Sequence, residues 1–122
     1  MINVGSKLFV ADNTGAKEVK CIRILKLGGR KFASIADLIV VSVTKSISCK
    51  KIKEGNVLYA IIVRTVKNIK RKDGTYLKFS ENSVVLLDKE KQILGTRIFG
   101  PIPYEIKYSN YSKIVSIAQE VV

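Results

Sequence analysis

RTVKNIKRKDGTYLKF, residues 64–79, stands between two apolar runs, Val57-Leu58-Tyr59-Ala60-Ile61-Ile62-Val63 and Val84-Val85-Leu86-Leu87. The runs are of strand length and rich in β-branched residues, so they read as buried strands. Asp73-Gly74 at the centre is a hairpin signal and predicts a type I′ turn, with φ > 0 at both central positions. The arms carry Arg64, Lys67, Lys70, Arg71, Lys72 and Lys78 against one acid, Asp73. Charges at that density are not buried unpaired. The expectation is a two-stranded basic ribbon that leaves a packed core and carries positive charge outward. Two reasons for the charge stand side by side. One is a solvated edge, blunted by lysine against aggregation. The other, favoured because the adjoining core needs no such charge, is a polyanionic partner.

Outward from the ribbon, the chain reads as a series of short strands. Residues 7–11 form the first, followed by an Asx turn at Asp12-Asn13-Thr14-Gly15. Residues 17–26 alternate apolar and basic side chains, as a strand solvated on one side does. The alternation slips near Ile22, which leaves either a bulge or a two-sided strand. Gly28-Gly29-Arg30-Lys31 is a loop without the GxxxxGK[ST] pattern. It is a plain turn or a place where backbone approaches phosphate. Leu38–Val43 is the third strand, Cys49–Asn56 a basic turn, Val57–Val66 the fourth strand and Ser83–Asp88 the fifth. Gly95–Pro103 is expected to be an irregular stiff loop, because Gly and Pro punctuate it. Residues 111–118 are expected to be a short helix, with Tyr104–Tyr108 another helical turn. Short strands at turn-marked intervals predict a mainly β fold. It is a small closed five-stranded antiparallel β-barrel with a projecting basic ribbon and a short helical C-terminus, one domain over residues 1–122.

The chain has 122 residues and is 47% hydrophobic, enough for one domain with a real core. Lys and Arg number 22 against 10 Asp and Glu, a formal net charge of +12. Eleven of the basic residues fall in residues 1–61 and eleven in 62–122, so the charge covers the whole body. This is the footprint of a nucleic-acid binder. A basic membrane-surface protein would need a long amphipathic helix, and none is visible; no run approaches a membrane span. No secretory signal pattern is present, and the chain reads as soluble and internal to a cell or organelle.

There is no histidine, and Cys21 and Cys49 stand far apart. Zinc ligation and Ser-His or Cys-His catalysis are therefore excluded, and Cys21 reads as a small core residue. No metal and no cofactor is expected. Asp12, Asp37, Glu54 and Asp73 fall in or beside turns, where solvated acids are ordinary, so an enzyme reading has no candidate site. For phosphate contact the candidates are Lys17, Arg23, Lys26, Arg30, Lys31, Lys50, Lys51, Lys53, Arg64, Lys67, Lys70, Arg71, Lys72 and Lys78. Nine aromatic residues are too few and too scattered for a general single-strand platform. Shape-and-backbone recognition of folded RNA fits better, although composition alone does not separate RNA from DNA. A free-standing β-barrel RNA chaperone or translation factor is the alternative to a permanent assembly component.

Four stretches together resemble one family. Val10-Ala11-Asp12-Asn13-Thr14-Gly15-Ala16-Lys17 looks like VADNSGAR. Ala60-Ile61-Ile62-Val63, then Asp73-Gly74, Phe79, Asn82 and Val85-Leu86, resembles the family signature. Gly95-Thr96-Arg97-Ile98-Phe99-Gly100-Pro101 looks like GTRIFGP, and Lys113–Ala118 through Glu120-Val121-Val122 is similar to KIISLAPEV. The family is the universal large-subunit ribosomal protein fourteen, and the resemblance spans essentially the full chain without gaps. It implies a five-stranded barrel without enzymatic activity that binds large-subunit rRNA directly. It implies partners as well: small-subunit rRNA at intersubunit bridges, ribosomal proteins three and nineteen, and a ribosome-silencing factor. No membrane and no homo-oligomer is implied. By the same resemblance, Thr96, Arg97, Lys113 and Ser116 form the face for the small subunit and the silencing factor. The location implied is the large ribosomal subunit in a bacterial cytoplasm, a plastid stroma or a mitochondrial matrix. Lys67–Arg71 and the abundance of Lys, Ile and Asn lean towards an organelle. The chain departs from the family at Ser46–Lys50, at Gln119, and at Tyr104 and Lys107, where arginines are common.

Overall fold

A computed structural model describes residues 2–25, 32–47, 52–108 and 111–122. Five strands close into a barrel in the order β1 (Lys7–Val10), β2 (Ala16–Ile24), β3 (Leu38–Ser46), β4 (Val57–Arg64) and β7 (Ser83–Leu87). Between β4 and β7 lies the ribbon, β5 (Ile69–Lys70) and β6 (Tyr76–Leu77). The chain continues as β8 (Ile98–Ile102), a 3-10 helix (Tyr104–Tyr108), α1 (Lys113–Ile117) and β9 (Ala118–Val121).

The expected closed barrel is present, with one departure from all-antiparallel pairing. β1–β2, β2–β3, β3–β4 and β4–β7 are antiparallel, but the closing seam of β1 on β7 is parallel. The slip near Ile22 is a bulge: the register shifts between Cys21 and Arg23, which leaves Ile22 exposed.

Alternation decides what fills the barrel. Ile39, Val41 and Val43 of β3 point inward with Val19 and Cys21 of β2, Ala60 and Ile62 of β4, and Val84 and Leu86 of β7. Cys21 is buried there, and burial raises its thiol pKa, as expected of an inert core thiol. The outward residues of β4 and β7 are apolar too, which is why those strands read as continuous runs. Ile61, Val63, Val85 and Leu87 form a second core with Ile98, Ile102, Ile106 and Ile114. Fully burying each such side chain is worth roughly 1.5–3 kcal/mol. The C-terminal segment is thereby docked onto the barrel wall.

Residues 95–103 correct the expectation of an irregular loop. Ile98–Ile102 is a strand, paired in parallel with Ala118–Val121. Its glycine and proline are accommodated by an irregular register between Ile98 and Pro101, with Gly100 at φ 81°. α1 is correspondingly short, and Ala118, expected to end the helix, instead begins strand β9, which completes this sheet. The helical turn expected at Tyr104–Tyr108 is present as a 3-10 helix.

Candidate nucleic-acid interface

The ribbon forms where the sequence puts it, but its turn differs from the type I′ expected. Gly74 has φ 89°, while Asp73 is not among the described residues with positive φ. The Gly74 N–H donates to the Arg71 carbonyl (3.1 Å) and the Arg71 N–H to the Thr75 carbonyl (2.8 Å). This is a type I turn followed by a left-handed glycine, the usual three-residue hairpin loop. Asp73 favours it by accepting from the Thr75 N–H (3.0 Å) and hydroxyl (2.6 Å). Those bonds hold the Asp73 carboxyl below its ordinary pKa. The base of the ribbon is pinned by the Phe79 N–H on the Thr65 carbonyl and the Val66 N–H on Asn82 Oδ1.

The six ribbon cations do not share one environment. Lys67, Lys70, Lys72 and Lys78 are exposed. Among the described residues, Lys70, Lys72 and Lys78 have no ion-pair partner. Arg71 turns inward. It grips Glu105 through Nε–Oε2 (3.2 Å) and Nη2–Oε1 (3.0 Å), donates to the Val122 main-chain oxygen (2.7 Å), and lies 4.4 Å over the Tyr104 ring. The ribbon is thus folded against the 3-10 helix and does not stand free of the body.

Arg64 requires the clearest correction as a candidate phosphate contact. It is 7% exposed. Its Nη1 donates to the carbonyls of Phe99 (2.8 Å) and Pro101 (3.2 Å), and its Nη2 to Ser83 Oγ (3.2 Å) and Glu81 Oε1 (3.4 Å). Burial lowers its pKa, and Glu81 opposes that shift. Arg64 is a brace between the end of β4 and strand β8. A Cβ at Gly100 would collide with its Nη1, so glycine is required there by close approach as well as by φ.

A second brace joins two of the motifs. Asn13 Oδ1 accepts from the N–H groups of Thr96 (2.9 Å) and Arg97 (3.2 Å), and Asn13 Nδ2 donates to Thr96 Oγ1 (2.8 Å). Gly95 lies so close that a Cβ would come within 2.9 Å of Asp12 Cβ and Asn13 Oδ1. Asp12, expected to be an ordinary solvated acid, is buried at 5% exposure. It accepts from the Leu86 N–H (2.9 Å) and from the Thr14 N–H and hydroxyl. Burial raises its pKa despite these bonds. The backbone of Phe99 completes the joint by donating to the Ala11 carbonyl (2.6 Å).

That joint fixes the backbone beneath Thr96 and Arg97. The first β8–β9 pair, Ile98 with Ala118, brings residues 96–97 next to the end of α1. Arg97, Lys113 and Ser116 are exposed, and Ile114 is buried beneath them. Ile98 is fully buried and pins the segment, whereas Phe99 is 47% exposed. The Thr96 hydroxyl and the Ser116 hydroxyl, which donates to the Lys113 carbonyl (2.6 Å), are already engaged within the chain.

The remaining predicted cations are dispersed. Lys17 borders a cleft of about 490 Å³ with Phe9, Asn13 and Phe99. Arg23 borders a groove of about 570 Å³ with Val40, Tyr59 and Lys89. Lys53 is exposed in the turn before β4. Lys26, Arg30, Lys31, Lys50, Lys51 and Cys49 lie outside the described residues. Among those described, no group of three His, Cys, Asp or Glu residues could hold a metal. Among the described residues, no helix is long and apolar enough to cross a membrane.

Sequence reading missed the internal duty of Arg64 and Arg71. The available signal was Arg64 ending a fully apolar strand, where an exposed side chain is least expected. The family model for ribosomal protein L14p/L23e matches residues 1–122.

Proposed function

Because the chain belongs to the ribosomal protein L14p/L23e family, we propose that it holds large-subunit rRNA with the exposed cations of its ribbon and barrel and meets the small subunit through Thr96, Arg97, Lys113 and Ser116. Membership makes the chain a structural, rRNA-binding component of the large ribosomal subunit, a class without enzymatic activity. The contacts beyond that are the proposal. The RNA-facing set is Lys17, Arg23, Lys53, Lys67, Lys70, Lys72 and Lys78, together with Lys26, Arg30, Lys31, Lys50 and Lys51. Arg64 and Arg71 support that set from within, since Arg64 Nη1 and Nη2 and Arg71 Nε and Nη2 donate to the chain's own acceptors.

The observation that carries the subunit-facing surface is the braced backbone of residues 95–97 beside α1, with Arg97 and Lys113 both exposed. A surface fixed before docking loses little entropy on binding. Small-subunit rRNA at an intersubunit bridge and a ribosome-silencing factor are the occupants proposed for it. Ribosomal proteins three and nineteen are the proposed neighbours. Residues 1–122 act as one barrel domain, and the Lys67–Arg71 stretch favours an organellar ribosome over a bacterial one.

The test is the double charge reversal Arg97→Glu with Lys113→Glu. Incorporation into large subunits stays near normal, while the fraction in whole ribosomes at low magnesium falls, because charge reversal replaces attraction with repulsion. Loss of incorporation with normal joining of the remainder would assign these residues to assembly instead.

A further inference from the structure

We propose that the cleft between the ribbon and the 3-10 helix takes one unpaired nucleobase, stacked on Tyr108, with the flanking phosphates on Lys70 and Lys72. The cleft measures about 350 Å³ and is bordered by Lys70, Arg71, Lys72, Tyr104 and Tyr108. Tyr108 is 78% exposed, the most exposed large apolar or aromatic side chain among the described residues. Its ring contributes nothing to either core, so its π face is free for a ligand.

The opposite wall is fixed. The Arg71 guanidinium is held by Glu105 and by the Val122 main-chain oxygen, and it covers the Tyr104 ring at 4.4 Å. The same ion pair cancels the charge of Glu105, which also borders the cleft. The charge left over belongs to Lys70 and Lys72, which have no ion-pair partner among the described residues. The site therefore combines an open aromatic face, a rigid cation-aromatic wall and two unpaired lysines. Single-stranded nucleotides present the matching chemistry, a planar base beside a charged phosphate. A duplex would use the lysines and leave the ring idle. An acidic protein surface would do the same.

This inference rests on the rRNA-binding reading above and adds a base contact to a surface read so far as phosphate-binding. It also gives a role to Tyr104, as part of the fixed wall, and to Tyr108, as the stacking face.

The probe is a single-stranded RNA hexamer with 2-aminopurine at one internal position, alongside a duplex of the same sequence. With the wild-type chain, the fluorescence of the single strand is quenched saturably and that of the duplex is not. Tyr108→Leu weakens single-strand binding roughly tenfold, as expected for loss of one stacked base. Tyr108→Phe retains it, and duplex binding is equal in all three proteins. The site is so exposed that neither substitution affects folding. Equal binding and quenching in Tyr108→Leu overturns the proposal, as does equal quenching of the duplex. A wild-type chain that binds large-subunit RNA but not the hexamer overturns the base site alone. One that binds neither overturns the rRNA-binding reading with it.

Discussion

Replacing Arg64 by methionine keeps most of the aliphatic stem and removes the guanidinium, so it isolates the brace. The carbonyls of Phe99 and Pro101 lose their shared donor, and Ser83 loses a partner inside a fully buried position. A hydrogen bond to a charged group contributes roughly 1.5–3 kcal/mol, and an orphaned buried acceptor costs about 1–3 kcal/mol. The Glu81 pair is discounted, because its 3.4 Å separation is long and the Glu81 side chain is 42% exposed. Some of the loss is offset, since Arg64 Nε is buried without a partner and its removal relieves a desolvation cost. The net expectation is a destabilisation of about 2–4 kcal/mol. With a urea m-value of roughly 1–3 kcal/mol/M for a small protein, the midpoint moves down by on the order of 1–2 M. Far-UV circular dichroism in urea measures this, and RNA titrations across salt concentration supply the second readout. The slope of log affinity against log salt is expected to stay at the wild-type value, because the guanidinium does not reach solvent. A variant with an unchanged midpoint and a slope shallower by one phosphate would refute the brace and restore Arg64 to the RNA surface.

Lys70→Gln with Lys72→Gln has the converse profile: stability is unchanged, and the salt slope drops by roughly 0.7–0.9 for each phosphate that is no longer neutralised, read from the same titrations. Gly74→Val meets no steric obstacle within 4 Å but places a β-branched residue at φ 89°. It costs roughly 1–3 kcal/mol of local strain, seen as reduced incorporation into large subunits with the barrel's circular dichroism intact. Asp12 carries a pH signature. Because burial raises its pKa above the ordinary 3.8, the folded chain holds the proton more tightly than the unfolded one. Stability from this group therefore falls as pH rises from 3.8 through the raised value. Urea midpoints of wild type minus Asp12→Asn, measured upward from about pH 4, decline over that window, and a difference that is flat or rises contradicts the burial account.

The barrel was readable because its strands announce themselves locally. Alternation over residues 17–26 and the two apolar runs around the ribbon each mark a strand without help from the rest of the chain. The second core was implicit in the same runs, since β4 and β7 are apolar on both faces, but the runs do not say what covers the outer one. β8 was hidden because Gly100 and Pro101 mimic a loop, and its pairing partner lies near residue 120. The fate of the arginines was equally non-local. Arg64 and Arg71 look like their lysine neighbours in a window of sequence, and only acceptors 17–51 residues away turn them inward. Asn13 is the same case: its turn chemistry was legible, but its grip on Thr96, 83 residues away, was not.

The parallel seam between β1 and β7 bears on how the chain is made. β1 can pair with β2 as soon as the first hairpin is complete, yet its other edge must wait for Ser83, the partner of Phe9. At ribosomal speeds of roughly 5–20 residues per second, the interval lasts about 3–12 s. Through that time a strand edge stands open and the sheet is an unclosed curl, the state in which foreign strands pair most readily. Closure at such sequence distance is also slow in its own right. The protein thus passes each round of its own synthesis through a window of vulnerability whose length is written into the order of its strands.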